Sequence, residues 1–141
     1  MTAEAFLDAQ VLLYACSSAP DDRAKQQRAE HLILNTSFAL SAQVLQAFIA
    51  NALRKKSLGI TEANIDATLE LASHVRVLPI THELIVTAVT LRRRFKLSHG
   101  DSTIIAAAQQ LGCKILYSED LNHGQDYGGV RIQNPFRSAD S

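Results

Sequence analysis

A chain of 141 residues, 47% hydrophobic and 20% charged, has the length of one domain with its own core and is too apolar for a disordered chain. Lys+Arg and Asp+Glu both number 14, so no global field draws the protein to nucleic acid or membrane, and any polyanion binding must come from local patches. No run approaches the roughly 20 apolar residues of a membrane span, and no basic segment opens a signal peptide.

In chain order, short β-like runs alternate with helical stretches. Residues 5–8 ("AFLD") read as a strand and 11–16 as a short helix. "PDDRAKQQRAEHLIL" (20–34) opens with Pro20 and two acids, a helix-start signature. "FALS" (38–41) is a strand. From Ala42 to Ser57 the apolar residues Val44, Leu45, Phe48, Ile49, Ala52 and Leu53 recur at helical spacing. Gly59 closes that helix, and Thr61 with Asn64 opens another through about Ser73. "VRVLPI" (75–80) alternates as a strand does, and His82–Phe95 is helical. "SHGDSTIIAAAQQLG" (98–112) is a helix closed by Gly112. "KILYS" (114–118) is a strand, "EDLNHGQDYGG" a loop, and "VRI" (130–132) a last strand. No repeat or linker interrupts residues 1–141, which read as a single domain. Cys16 and Cys113 form no CxxC pair and sit in apolar context, as expected of two reduced core thiols in a cytoplasmic protein.

Strands separated by helices imply a parallel α/β sheet covered on both faces, with its ligand crevice beyond the carboxyl ends of the strands. Three acids fall at that end. Asp8 closes the first strand, Asp101 lies in the first turn of its helix, and Asp120 follows "KILYS" with Ser118 beside it. Each has a purely structural alternative: a helix cap for Asp8, a capping box with Ser98 for Asp101, and a turn residue for Asp120. Asp101 also shares a helix face with Ile104, Ile105 and Ala108, which points it inward. Clustered carboxylates repel one another unless a cation neutralises them. Oxygen donors without a Cys/His set suit Mg²⁺ or Mn²⁺, and the chemistry such an ion supports is phosphodiester hydrolysis.

Other polar groups carry less. Arg54-Lys55-Lys56 and Arg92-Arg93-Arg94 with Lys96 lie late in helices, where they complement helix dipoles or meet RNA phosphates. His99 and His123 flank the acids as loop histidines or as substrate contacts. Phe6, Phe48 and Tyr14 read as core.

At these residues the chain resembles the PIN-domain family, specifically the VapC-like toxins of bacterial toxin–antitoxin pairs. "FLDAQVLLYA" is similar to the family's opening FLDTNVLLY, and "LSAQVLQAF" resembles its QVL-x-EF segment. "LSHGDSTIIAAAQQLGCKILYSEDLNHGQ" and "VRIQNPF" resemble its later blocks. The resemblance implies an α/β/α sandwich on a central parallel sheet of four to five strands. It further implies an Mg²⁺- or Mn²⁺-dependent endoribonuclease, a homodimer and a small antitoxin partner. Asp8, Asp101 and Asp120 match three of the family's four acidic positions, the catalytic and metal-binding ones. The fourth, a Glu, is Ala47 here, and a methyl group cannot bind a cation. Gln10 stands where Asn is usual, and Gly100 where an aromatic is common. Gln43 and Asn51 lie one turn either side of Ala47, so either can offer a neutral oxygen. The expectation is weak metal binding with reduced nuclease activity, or an inactive scaffold that binds antitoxin or RNA without cutting.

Overall fold

The computed structural model describes residues 3–137. Six strands form one sheet: β1 (Ala5–Leu7), β2 (Phe38–Ser41), β3 (Val77–Leu78), β4 (Ile115–Tyr117), β5 (Asp126–Tyr127) and β6 (Val130–Gln133), in the order β3-β2-β1-β4-β6-β5. The first five in that order run parallel, and β5 alone is antiparallel, paired to β6. The helices are α1 (Ala9–Cys16), α2 (Arg23–Asn35), α3 (Ala42–Arg54), α4 (Glu62–Ala72), α5 (His82–Phe95) and α6 (His99–Gln110). Every residue of β1 and β2 is buried, the mark of strands covered by helices on both faces. Helix α1 packs on α2 and α3, while α5 packs on α6. Among the described residues no helix is long and apolar enough to cross a membrane.

Local chemistry sets the helix starts. Ser41, Thr81 and Ser98 each accept, through the side-chain oxygen, the backbone N–H three residues on, and Thr61 with Asn64 forms a full capping box. In α3 the buried Val44, Phe48 and Ala52 recur every fourth residue, fixing one face to the core. Both cysteines are free, Cys113 buried and Cys16 half-buried.

The structure departs from the sequence reading at element ends. The strand expected over 5–8 stops at Leu7, and Asp8 becomes the cap of a helix that starts at Ala9 rather than at 11. Pro20–Asp22 and Lys56–Leu58 are separate 3-10 turns. The strand expected over 75–80 shrinks to two residues. The expected loop contains β5, because Gly128 and Gly129, at φ 63° and 97°, turn the chain between the paired Tyr127 and Val130. A Gly-Gly pair between strands supplies the positive φ angles that a two-residue hairpin requires.

The sheet order reverses between β1 and β4. From β1 the chain proceeds outward through β2 and β3, then returns to β4 on the other side. That switch leaves a crevice beyond the carboxyl ends of β1 and β4, next to Asp8 and Ser118.

Candidate active site

A cavity of about 400 Å³ opens at this crevice. Asp8 reaches it from the end of β1, Asp101 from the first turn of α6 and Asp120 from the loop after β4, with Gln10, Gln43, Ala47 and Asn51 also in its wall. Ser118 lies directly behind. It is fully buried, its hydroxyl donates to Asp8 Oδ2 at 2.9 Å, and its Oγ accepts the Asp120 N–H at 3.2 Å. One hydroxyl thus ties two of the acids together.

Asp8 both caps and lines. Its Oδ1 accepts the Ala9 N–H at 2.7 Å, so the capping role is real, yet the residue sits only 3% exposed at the cavity floor. Burial pushes its pKa up to about 6, against the hydrogen bonds from Ala9 and Ser118, with repulsion from Asp120 and Asp101 adding to the rise. For Asp120, burial and then repulsion from Asp101 and Glu119 raise the pKa, while the Gln10 amide and Lys55 oppose the rise. For Asp101 only half of a capping box forms. Its N–H donates to Ser98 Oγ at 3.1 Å, and its side chain lines the cavity.

The amides differ from one another. Gln10 Nε2 donates to Asp120 Oδ2, and Gln43 Nε2 donates to the Gly100 carbonyl at 3.2 Å. Asn51 is occupied within its own helix: Nδ2 donates to the Ala47 carbonyl at 2.9 Å, and Oδ1 accepts from Arg54 at 2.6 Å.

Other residues complete the wall, and of these Glu119, directly after "KILYS", falls by sequence at the same crevice end as Asp120. Glu119 lines the wall, but its carboxylate is engaged: Oε1 accepts from the Tyr14 hydroxyl at 2.9 Å and Oε2 from Lys25 at 2.6 Å. It therefore does not replace the carboxylate missing at Ala47. Tyr14, read from sequence as core, stands one turn after Gln10 on α1, and that spacing was the available signal. Lys55 separates from its basic neighbours by lining the cavity. His99 and His123 do not line it, and His123 Nδ1 accepts the Asn134 N–H at 3.0 Å.

These walls are rich in acceptors, carboxylates and amide oxygens without sulfur or imidazole, a donor set that fits a hard divalent cation. The three aspartates share the cavity without closing on one another: among the described residues no three His, Cys, Asp or Glu side chains are grouped to hold a metal ion unaided.

Residues 5–125 match the sequence profile of the PIN domain. Among solved structures, the fold is similar to the VapC20 toxin of Mycobacterium tuberculosis, described as cleaving the sarcin–ricin loop. The TM-score is 0.67 at 21% identity, covering 82% of this chain and 89% of that one. It is also similar to a toxin–antitoxin complex from Klebsiella pneumoniae (TM-score 0.64, 19% identity, 93% and 97% covered). A third likeness is to VapBC2 of Rickettsia felis bound to promoter DNA (TM-score 0.63, 17% identity, 92% and 96% covered). At these identities the likeness is one of fold. A search of curated protein sequences finds no significant match.

Proposed function

This chain belongs to the PIN-domain family, and from that premise we propose that it is a metal-dependent endoribonuclease of reduced activity, the toxin of a toxin–antitoxin pair. The observation that carries the reading is the meeting of Asp8, Asp101 and Asp120, from three separate elements, in the wall of one cavity. In this reading residues 1–141 act as one domain, and the three aspartates hold Mg²⁺ or Mn²⁺. When bound, such an ion supplies an activated water and offsets charge on a phosphoryl oxygen. Asp8 and Asp120 are kept in fixed relation by Ser118, and Lys55 provides a positive group at the cavity for an RNA phosphate. With alanine at 47 the site carries one charge fewer than a four-acid centre, so ion affinity and turnover are lower.

The partners follow from the same premise. A small antitoxin occupies the chain in its resting state, in keeping with structural neighbours that are complexes with antitoxins. A homodimer is supported by Ile80, Ile85 and Val86, which remain 40–53% exposed near the start of α5. Two free thiols suit a cytoplasmic setting.

Ala47 favours a second reading, a scaffold that binds antitoxin or RNA without cutting. Cleavage of a broad RNA pool with Mg²⁺ or Mn²⁺ separates the two. Metal-dependent cleavage that Asp8→Asn abolishes supports the nuclease. Equal products from both proteins, or none from either, favour the scaffold.

A further inference from the structure

Two residues of the cavity wall each carry an amide oxygen that has no hydrogen-bond partner. Gln10 Oε1 and Gln43 Oε1 are both buried and unpaired among the described residues, although each side chain as a whole is only partly covered. A buried carbonyl without a partner is costly, and proteins seldom keep one unless something else supplies the contact.

The orientation of both amides is fixed by what their nitrogens touch. Gln10 Nε2 faces a carboxylate of Asp120 and Gln43 Nε2 faces the Gly100 carbonyl. Turning either amide over would set oxygen against oxygen. The nitrogens are therefore held by acceptors and the oxygens are left over. Asn51, at the same distance in sequence from Ala47, has both amide ends satisfied.

The surrounding groups say what the missing contact is. Asp8, Asp101, Asp120 and Glu119 are acceptors when ionised, and Lys55 is the cationic side chain in the described wall. Positive charge is in short supply, and a hard cation satisfies carboxylate and amide oxygens together.

We infer that Gln10 Oε1 and Gln43 Oε1 complete the oxygen shell of the divalent cation, directly or through one of its waters. Gln43 stands in, from one turn earlier on α3, for the carboxylate that position 47 lacks. The inference rests on the metal-dependent reading above and adds to it a division of labour: three aspartates supply charge, and two glutamines supply neutral oxygens. Gln10 has a second task, since the same amide holds Asp120 in place.

The test is Mn²⁺ binding to the full chain without RNA, followed by the electron paramagnetic resonance signal of free Mn²⁺. Gln43→Leu and Gln10→Leu are expected to weaken binding about tenfold, the scale on which groups supporting a metal site act. Asn51→Leu is expected to stay within about twofold of the parent. In chelator, Gln43→Leu loses the bond to the Gly100 carbonyl together with an unpaired buried oxygen, so it is expected to melt close to the parent, and to gain less on adding Mn²⁺. Gln43→Glu supplies a change of opposite sign and is expected to bind Mn²⁺ more tightly than the parent. Parent-like binding by both leucine variants, beside a clear loss in Asp8→Asn, overturns the amide assignment and leaves the carboxylate site standing. Failure of Gln43→Glu to tighten binding also overturns it, as does equal weakening by Asn51→Leu. No Mn²⁺ binding by the parent at millimolar concentration overturns both readings.

Discussion

Replacing Asp8 by Asn should make the metal-free protein more stable while removing its response to metal. Asp8 is nearly fully buried, and its pKa rises from 3.8 to about 6. Keeping such a carboxyl ionised in the folded state costs about 3 kcal/mol relative to the unfolded chain. Asparagine retains an oxygen for the Ala9 N–H, but its amide turns the Ser118 hydroxyl from donor to acceptor. The reversed bond leaves the buried hydroxyl proton without an acceptor, a cost of about 1 kcal/mol. The net gain is about 2 kcal/mol, or roughly 5 °C in Tm for a chain of this size. The pH dependence has a definite sign. Because the folded pKa lies above the unfolded one, wild-type stability falls as pH rises between about 4 and 6, then levels off. The Asn variant lacks this fall, so its advantage is absent at pH 4, grows through that window and is constant above it. Melting curves in EDTA at pH 4, 5, 6 and 8, repeated with Mn²⁺, measure each part, and Mn²⁺ should raise the Tm of the wild type only. An Asn variant that melts below the wild type at pH 8 in EDTA, or by a margin independent of pH, would refute the reasoning.

Ala47→Glu should melt lower than the parent in chelator, gain more from Mn²⁺ and cut RNA faster. Two unit charges 4 Å apart exchange about 4 kcal/mol at an effective dielectric of 20, and even 1.4 kcal/mol of net gain would tighten binding about tenfold. Equal Mn²⁺ shifts in parent and variant would show that position 47 is not the missing ligand. Mn²⁺ affinity should fall about tenfold per pH unit below about 6, since the ion competes with the Asp8 proton; a titration flat from pH 5 to 7.5 would contradict this. Gly100→Ala should raise stability by about 0.4–1 kcal/mol in denaturant titration, because its Cβ would meet the Gln43 amide nitrogen at an unstrained 3.8 Å.

The acids were legible because each marks an element boundary, and strand ends in a parallel sheet have only one crevice to face. The helices were legible from spacing, as with Val44, Phe48 and Ala52. What sequence left undecided was the state of each polar group. Gln43 and Asn51 are equivalent by position, each one turn from Ala47, yet Arg54 takes the Asn51 oxygen while the Gly100 carbonyl, from a different helix, takes the Gln43 nitrogen. Tertiary approach made that difference. Asp8 likewise offered a cap or a site residue as alternatives, and its two carboxylate oxygens face Ala9 and Ser118 at once. The β5 hairpin was missed because two residues are too short for an alternation pattern, although Gly128-Gly129 was a turn signal in plain view.

The sheet order also sets a schedule. Of the six strands the ribosome makes β1 before the others, and its partner β2, with β3 on the far side of β2, follows within 78 residues. Its other neighbour, β4, pairs Ile115 with Ala5, so one edge of the central strand waits for more than a hundred residues of synthesis. Until then Asp8 has no Ser118 behind it and no Asp120 beside it, and the β1 edge is open to mispairing. A nascent chain, however well its first half has folded, holds only one of the three aspartates in place. Whatever chemistry this cleft performs is therefore withheld from the growing polypeptide until β4 and the loop that carries Asp120 have been made.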